Sequence, residues 1–328
     1  NQIYAKKRRI LDAAIYETID IPTPRLWYPI GYGEQPLYTL VLATSNSTQR
    51  IKFGIREVTV LQIEDTPDSE YYKKCCELRQ LKHLQQWDHN ESFSGFIVLV
   101  NGIKIMCKGA NWIPCEPFPS AETPEKIEKL VFLAADAGVN MLRVWGGGIF
   151  EQPAFYDACD KMGILVTQDF LMACGSYPEE DDYFIEQLKK ESIAAALALR
   201  NHPCLAWWSG DNENALSGNE NILNYSGRRA AFEGIAPVIR QYDPYRLFFP
   251  SSPYGGIPYA SATKGTTHNT QFLGSIFEYI LKSDFADFRE YLSQFLARFN
   301  AEQPILGMPF ISSLRKFLTN DDIFGENT

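Results

Sequence analysis

Apolar and polar residues alternate along the chain in two different rhythms, and the rhythm changes near residue 103. Before that point, short apolar runs partly alternate with polar residues and are separated by Pro and Gly, a pattern typical of half-buried strands joined by turns. Asn101-Gly102 favours a type I′ hairpin turn. The pattern predicts a short helix at 77–86 and strands at 13–21, 36–42, 51–60, 96–100 and 103–106. Strands of this length and spacing predict a β-sandwich over residues 1–102.

From residue 103 onwards, apolar runs alternate with segments of helical periodicity. Ile127, Val131 and Ala134 recur at helical spacing, for example, after a Thr123-Pro124 start signal. The predicted strands are 105–108, 141–145, 164–169, 205–209, 247–250, 265–268 and 298–302. The predicted helices are 125–137, 154–161, 185–200, 229–240, 285–295 and 312–318. This alternation favours parallel strands covered by helices.

Seven such strands without a nucleotide-binding fingerprint predict a (β/α)8 TIM barrel over residues 103–328. The barrel is expected to lack its last strand within this chain. Because an open barrel exposes strand edges and core residues, we expect the native protein to be longer.

The composition excludes several classes of protein. Hydrophobic residues make up 45% of the chain, charged residues 22%, and the net charge is −9. A nucleic-acid-binding protein would carry a basic patch, and a membrane-surface protein a polybasic one, so we predict neither kind of partner. The seven cysteines show no zinc-ligand spacing and predict reduced thiols, which favours a cytoplasmic location. The sequence does not indicate an oligomeric state.

Chemically active side chains concentrate at the ends of the predicted barrel strands. In such barrels the carboxyl ends of the strands carry the working residues. The residues found at these ends are Asn111, Trp112, Arg143, Trp145, Asp169, Asn212, Glu213, His268 and Glu302. A purely structural rim would consist mostly of Gly, Ser and solvated Lys, so the set points to a functional site.

Two of these residues, Glu213 and Glu302, follow the fourth and seventh predicted strands and face each other across a barrel. This arrangement suits glycoside hydrolysis, with retention of configuration when the carboxylates lie about 5–5.5 Å apart. We expect Glu213 to be the acid, with a raised pKa, and Glu302 the nucleophile, with a depressed one. The structural alternative is that Glu213 only caps the next helix.

The other candidates have two readings each. Asn212 is a candidate to hold a sugar 2-hydroxyl. Trp145 or Trp208 is a candidate for the floor of the sugar site, and the structural alternative for each Trp is a place in the barrel core. His268 is equally a ligand contact or a structural histidine, and Asp169 equally a sugar contact or the partner of an Arg143 ion pair. The proposed mechanism needs no metal and no cofactor, and the sequence carries no motif for either.

The chain resembles glycoside hydrolase family 2, and within it the β-mannosidase branch. The run Arg143-Val144-Trp145-Gly146-Gly147-Gly148 is specific to that branch. Further resembling stretches are Pro24-Arg25-Leu26-Trp27-Tyr28-Pro29, Gln35-Pro36-Leu37-Tyr38, Phe53-Gly54-Ile55-Arg56, Lys108-Gly109-Ala110-Asn111-Trp112-Ile113-Pro114, Asn140-Met141-Leu142, Phe155-Tyr156-Asp157, Gly163-Ile164-Leu165-Val166 and Asn201-His202-Pro203. Together they cover nearly the whole chain, and the first of them suit the family's immunoglobulin-like domain.

The resemblance implies a retaining, exo-acting hydrolase that removes terminal β-D-mannose from β-mannosides. It implies that Glu213 is the acid/base and Glu302 the nucleophile. The chain departs from the family pattern at Thr167, usually Trp, at Asp211, usually Asn, and around Gln303, where the family often has an aromatic residue after the nucleophile. Two alternatives stay open at this stage: a related hydrolase of β-glucosaminides or β-galactosides, and a non-catalytic carbohydrate-binding module.

Overall fold

The computed structural model describes residues 3–9, 15–80, 92–217, 225–255, 263–268, 297–303 and 310–324. The amino-terminal part is built from antiparallel strands and one helix. These elements are β1 (Tyr38–Ala43), β2 (Thr48–Phe53), β3 (Val58–Leu61), α1 (Glu70–Gln80), β4 (Ile97–Val100) and β5 (Ile103–Ile105). Strands β1 and β2 form one sheet, and β3, β4 and β5 form a second one in that order.

The β4–β5 hairpin turns at the predicted dipeptide. Asn101 has φ 51° and Gly102 has φ 78°, the left-handed values that both central residues of a type I′ turn require. The turn sets the register, in which Val98 pairs with Ile105 and Val100 with Ile103. The hairpin prediction is therefore confirmed.

Two strand predictions in this part were wrong. Residues 15–21 contain no strand, while 13 and 14 lie outside the described residues. The predicted strand 51–60 is interrupted after Phe53, because the chain there leaves the first sheet and docks on the barrel. A Cβ atom on Gly54 would lie 2.7 Å from Pro203, and Arg56 donates to the carbonyl oxygens of Pro203 and Leu205 at 3.0 and 2.5 Å.

The second part of the chain alternates strand and helix, as predicted. Its described elements are β6 (Gly109–Trp112), α2 (Pro124–Asp136), β7 (Met141–Val144), α3 (Pro153–Met162), β8 (Leu165–Asp169), α4 (Asp182–Leu199), β9 (Leu205–Ser209), α5 (Ala236–Tyr242), β10 (Leu247–Phe249), β11 (Thr266–His268), β12 (Phe299–Glu302), α6 (Ile311–Leu314) and α7 (Asn320–Phe324). A π-helical segment, Ala230–Ile235, leads directly into α5.

The strands of this part are parallel and form an α/β arrangement that is part of a barrel. Strands β6 to β10 pair in chain order within one sheet, and β11 pairs with β12. Strand β12 also lies close to β6, at the other edge of the five-stranded sheet. Every residue of β7, β8 and β9 is buried, as expected for parallel strands covered by helices on one side and by the barrel interior on the other.

Local signals explain where the helices begin and end. The Thr123 hydroxyl accepts from the Lys126 amide, and Pro124 occupies the first turn of α2. Helix α3 ends at Gly163, whose φ of 76° is the left-handed C-cap conformation. The predicted helix 285–295 lies outside the described residues. None of the helices in the described ranges is long and apolar enough to cross a lipid bilayer.

The first barrel strand lies four residues later than predicted, at β6 rather than at 105–108. The hairpin register uses Ile103–Ile105 for β5, so the barrel begins only after the chain has left that sheet. Gly109 allows β6 to approach β7 closely, because a Cβ atom there would lie 2.1 Å from the Met141 carbonyl oxygen.

Aromatic packing joins the amino-terminal strands to the barrel. Phe96, just before β4, contacts Trp207, Phe249 and Phe299, with ring centroids 5.1 to 6.2 Å apart. Aromatic pairs at these separations add to the free energy of burial. Phe96, next to the β4–β5 hairpin, thus packs the amino-terminal part against strands β9, β10 and β12.

Candidate active site

The carboxyl ends of five parallel strands bring most of the predicted site residues together. Arg143 lies on β7, Asp169 at the end of β8, His268 at the end of β11 and Glu302 at the end of β12. Glu213 follows β9 by four residues. The convergence arises because parallel strands all end at the same edge of the barrel.

The backbone at Glu213 is strained. Its φ is 62°, a left-handed conformation that costs a non-glycine residue on the order of 1–3 kcal/mol. The surrounding backbone holds it there: Glu213 N donates to Ser252 O at 2.8 Å, and Asn212 forms bridges to Ala173 and Ser252 on either side. Strain of this kind tends to occur where a side chain must be aimed at a ligand.

The Glu213 carboxyl group is held by two side chains. Oε1 lies 2.8 Å from His268 Nδ1, and Oε2 accepts from the Cys174 thiol at 3.2 Å. Burial raises the pKa of Glu213, but the His268 and Cys174 hydrogen bonds and nearby positive charge outweigh it, so the pKa lies below its ordinary value. The expectation of a raised pKa was therefore wrong for the sugar-free site, because these donors favour the carboxylate.

Glu302 faces the same histidine and is paired with an arginine. Its Oε2 accepts from Arg143 Nη1 at 2.7 Å and lies 3.8 Å from His268 Nδ1. One oxygen of Glu213, one of Glu302 and a ring nitrogen of His268 all lie within 4.8 Å of one another. An oxygen–oxygen distance below 4.8 Å is consistent with the short carboxylate separation of retaining glycosidases, about 5–5.5 Å.

Arg143 connects four of the candidate residues. Besides Glu302, it donates from Nη2 to Asp169 Oδ2 and to Asn212 Oδ1, both at 2.6 Å, and from Nη1 to Asn111 Oδ1 at 3.3 Å. Burial disfavours the charged guanidinium, but the Asp169 and Glu302 carboxylates raise its pKa above the ordinary value. The positively charged Arg143 therefore lies next to Glu302.

Asp169 is the buried carboxyl group that pairs with Arg143. Burial raises the pKa of Asp169 to about 6, against the opposing effects of Arg143 and of the Gly146 amide, which donates to Oδ2 at 3.1 Å. The structure thus places Asp169 in an ion pair with Arg143, one of the two readings given above for this residue.

The three tryptophans considered from the sequence differ in their surroundings. Trp145 is partly exposed, and its ring lies over Gly147, where a Cβ atom would come within 2.1 Å of the ring. Trp112 points to the opposite face of β6 from Asn111: it is buried, donates to Glu151 Oε1 at 2.9 Å and packs on Phe155. Trp208 is fully buried and donates to an acidic side chain of the helical layer. Among the described contacts, Trp112 and Trp208 thus pack on residues other than the carboxylate pair.

Three residues near the carboxylates were missed from the sequence. Cys174, in the loop after β8, donates to Glu213, and the Ser252 hydroxyl lies 3.0 Å from His268 Nε2. Asp211 lies between β9 and Glu213. Only a systematic reading of the loops beyond the strand ends could have indicated them.

Asp211 is a fully buried carboxyl group. Its Oδ1 accepts from the Ser251 hydroxyl at 2.5 Å and from the Asn214 amide at 3.1 Å. Within the described ranges, Oδ2 is buried without a hydrogen-bond partner. Burial raises the pKa of Asp211 to about 8, so the group is protonated at neutral pH and resembles the Asn that the family usually has there.

A cavity of about 580 Å³ lies beside the carboxylate pair, and its wall includes Ala301 and Gln303, the two chain neighbours of Glu302. Phe96, Trp207 and Phe299 form part of its wall, and neither Glu213 nor Glu302 lines it. The cavity therefore borders the Glu302 side of the site, although neither carboxylate is part of its wall.

Two groups of described side chains have the donor types and spacing of a metal site. One is Glu213, His268 and Glu302, and the other is the trio Asp160, His202 and Cys204. In the second trio Asp160 already accepts from His202 Nδ1 at 2.7 Å and from the Cys204 amide at 3.0 Å. These bonds give it a structural role in the loop before β9.

Comparison with known proteins identifies related β-mannosidases. No family model matches the chain. The β-mannosidase B of Aspergillus fumigatus is 30% identical over 324 residues, covering 93% of this chain and 34% of that protein. A β-mannosidase of Rattus norvegicus is 30% identical over 321 residues, covering 92% and 33% of the two chains.

A solved structure agrees with these relatives. The β-D-mannosidase of Dictyoglomus thermophilum superposes with a TM-score of 0.73 at 34% identity, covering 92% of this chain and 34% of that one. The chain thus spans about a third of the length of the relatives that it matches.

Proposed function

Since this chain belongs to the β-mannosidase branch of glycoside hydrolase family 2, we propose that it is the catalytic part of a retaining exo-β-mannosidase. Its substrate is the terminal β-D-mannose of a β-mannoside. The observation that carries the proposal is the pair of carboxylates whose oxygens, with His268, lie within 4.8 Å of one another.

The pair divides into two roles because its surroundings differ. Glu302 contacts the Arg143 guanidinium, which holds the carboxylate in place for attack on the sugar. Glu213 contacts His268 and Cys174 instead, and it is the acid/base. A sugar bound between the two removes water from Glu213, and desolvation raises the pKa of a carboxyl group, which favours the protonated form that an acid needs.

The reaction then proceeds in two displacements. Glu302 attacks the anomeric carbon, the glycosidic C–O bond breaks, and the Glu213 proton passes to the leaving oxygen. A water molecule next attacks the same carbon, gives its proton to Glu213, and releases Glu302 together with mannose of retained configuration. No metal or other cofactor takes part in either step.

The neighbouring polar residues orient the sugar. Asn212 is held by Arg143 through its Oδ1 atom, and we assign its amide to the sugar 2-hydroxyl, whose hydrogen bond strengthens in the transition state. Asn111 and Asp169 are fixed by the same guanidinium. The partly exposed Trp145 ring supplies an apolar platform for the sugar ring.

We further propose the division of the chain given by the sequence. Residues 1–102 form an immunoglobulin-like β-sandwich, and residues 103–328 form the TIM barrel. What supports it is the change from antiparallel pairing in β1 to β5 to parallel pairing from β6 onwards. The seven cysteines, all free thiols, support a reducing compartment such as the cytoplasm.

The test is a substrate panel on the full-length protein. Aryl β-mannoside, β-glucoside, β-galactoside and β-glucosaminide are compared, with the Glu302→Ala variant as the control. Turnover of the mannoside that the variant abolishes is the expected result. Preference for another sugar would overturn the substrate assignment, and binding of sugars without turnover of any would favour a carbohydrate-binding module.

A further inference from the structure

Four side chains with metal-binding atoms meet at the proposed catalytic pair, and they come from four different segments. Glu213 follows β9, His268 ends β11, Glu302 ends β12, and Cys174 lies in the loop after β8. The proposed hydrolysis uses two of them directly, and a thiol beside an acid/base carboxylate has no part in it. We propose that this cluster is an inhibitory Zn²⁺ site in which His268, Glu213, Glu302 and Cys174 supply the four ligands. The inference rests on the proposed function, because it concerns regulation of the same site.

The distances fit a tetrahedral zinc ion after small side-chain rotations. Zn–N and Zn–O bonds of about 2.0–2.2 Å place ligand atoms roughly 3.3–3.6 Å apart in a tetrahedron. His268 Nδ1 lies 2.8 Å from Glu213 Oε1 and 3.8 Å from Glu302 Oε2. Cys174 Sγ lies 3.2 Å from Glu213 Oε2 but does not belong to the group of ligand atoms within 4.8 Å of one another. Its side chain must therefore rotate to become the fourth ligand.

The histidine is supported as metal-bound histidines are. A metal-binding imidazole almost always has its other ring nitrogen in a hydrogen bond, which fixes the ring orientation. His268 Nε2 lies 3.0 Å from the Ser252 hydroxyl, and this contact leaves Nδ1 directed at both carboxylates. His268 is also 1% exposed, so its orientation is set by the protein rather than by solvent.

The negative charge and the ligand types of the cluster suit Zn²⁺. Glu213, Glu302 and Asp169 are acidic, and Arg143 is the one cation that contacts them in the described part of the site. Arg143 repels a metal ion, but its charge is shared with Asp169, and the remaining two carboxylates balance a 2+ ion. A set of imidazole, carboxylate and thiol favours Zn²⁺ over Mg²⁺ and Ca²⁺, which prefer oxygen ligands.

A bound Zn²⁺ would prevent both displacements. Coordination occupies the Glu302 lone pair that attacks the anomeric carbon, and it excludes the proton from Glu213. The Cys174 thiol releases its proton to solvent when it binds the metal. Zn²⁺ is therefore expected to compete with mannoside, raising KM without changing kcat.

The test measures metal binding apart from catalysis. Titration of the full-length protein with ZnCl2 in a calorimeter gives the affinity, and CoCl2 serves as a coloured substitute whose thiolate charge-transfer absorption reports on the cysteine. The variants are His268→Gln, Ser252→Ala and Cys174→Ser, with Cys76→Ser on α1 as the matched thiol control and circular dichroism to verify folding.

The expected result is one tight site per chain. Its affinity should fall about 10–100-fold in Ser252→Ala, because the Ser252 hydroxyl orients the metal-binding ring of His268, and at least as much in His268→Gln. Cys174→Ser should lose the charge-transfer absorption, and Cys76→Ser should change nothing. If Ser252→Ala and Cys174→Ser leave the Zn²⁺ affinity unchanged, the proposed site is overturned. The metal would then bind elsewhere, such as at Asp160, His202 and Cys204.

The metal proposal and the proposed function fail in different ways. Hydrolysis of mannoside that Zn²⁺ does not inhibit would leave the function standing and overturn the regulation. Zn²⁺ binding that follows the expected variant pattern, in a protein that hydrolyses none of the four aryl glycosides, would overturn the proposed function and leave the metal site standing.

Discussion

Arg143 is the residue on which the geometry of the site depends most. It is 5% exposed and donates to Glu302, Asp169, Asn212 and Asn111 from one guanidinium group. An ammonium group is a point charge and cannot serve four partners in a plane. The arginine therefore fixes the nucleophile and the sugar-binding amides in a single arrangement.

We predict that Arg143→Lys lowers kcat/KM for aryl mannoside by about 10²-fold or more, because misplacing catalytic groups by about 1 Å costs that much. Steady-state kinetics on the folded variant measure the loss. Arg25→Lys is the control, since Arg25 forms only an exposed ion pair with Glu34. Equal activity of Arg143→Lys and wild type would contradict the assignment of Arg143.

Asp211 should make stability depend on pH. Its folded-state pKa of about 8 is raised above the ordinary 3.8 by burial, so the folded protein binds a proton that the unfolded chain has lost. This contribution to the free energy of unfolding is fully present below about pH 4 and is lost as the pH rises through 8.

We predict that Asp211→Asn removes this pH dependence, because an amide of the same shape has no proton to lose. Urea unfolding at pH 5, 7 and 9 measures it. The wild type should lose on the order of a few kcal/mol between the first and the last, and the variant clearly less. The control is Asp68→Asn, at an exposed carboxyl group. Parallel stability curves for Asp211→Asn and wild type would show that Asp211 is ionised in the folded protein.

At the scale of elements, strands β9 and β10 were readable from the sequence because each is a nearly continuous apolar run. Strand β9 was predicted at its observed bounds. Strand β6 was misplaced because the Asn101-Gly102 turn fixes the hairpin register, and that register places the next apolar residues in β5. Such competition between neighbouring sheets for one segment is decided by tertiary pairing, which a local pattern does not contain.

The sequence could have predicted which β6 side chains point toward the site. Adjacent strand residues point to opposite faces, so Asn111 and Trp112 cannot both reach one site. The structure directs Asn111 to Arg143 and Trp112 to Glu151 and Phe155. Applying the alternation rule to β6 would have shown that Asn111 and Trp112 point in opposite directions.

The close approach of β6 and β7 can be tested by substituting Gly109. An alanine Cβ there would lie 2.1 Å from the Met141 carbonyl oxygen, so Gly109→Ala must displace the strand, and overpacking of this kind costs about 1–3 kcal/mol. Chemical denaturation measures the change in the free energy of unfolding. Gly95→Ala is the control, because the nearest atom would lie 3.9 Å away, and a loss equal to that of Gly109→Ala would refute the packing argument.

At the scale of the whole molecule, contacts between distant segments hold the amino-terminal part on the barrel. Trp27 is fully buried and donates to the Asp160 carbonyl oxygen at 2.8 Å, while Arg56 reaches the start of β9. These long-range contacts break the predicted strand 51–60 in two. They join residues about 130 to 150 apart in the chain, so a reading of local patterns could not have foreseen them.

The site itself was predictable only in part, because some of its contacts also depend on distant segments of the chain. Residues at strand ends converge in any parallel barrel, and the sequence indicates those ends. The hydrogen bonds of Cys174 and Ser252 come from loops whose conformation depends on the backbone bridges around Asn212. Burial raises the pKa of Glu213, but its hydrogen bonds to His268 and Cys174 lower the pKa overall. The Cys174 contact comes from such a loop and was not foreseen, and the sequence therefore predicted the opposite direction.

The central claim is that Glu302 forms a covalent bond to the sugar. The most direct measurement is mass spectrometry of peptic peptides after incubation of the full-length protein with 2-deoxy-2-fluoro-β-mannosyl fluoride, which slows the second displacement. The account predicts one added fluoromannosyl group, on the peptide that contains Glu302, and none in Glu302→Ala. A label on another carboxylate, or rapid turnover to a product of inverted configuration without any label, would contradict it.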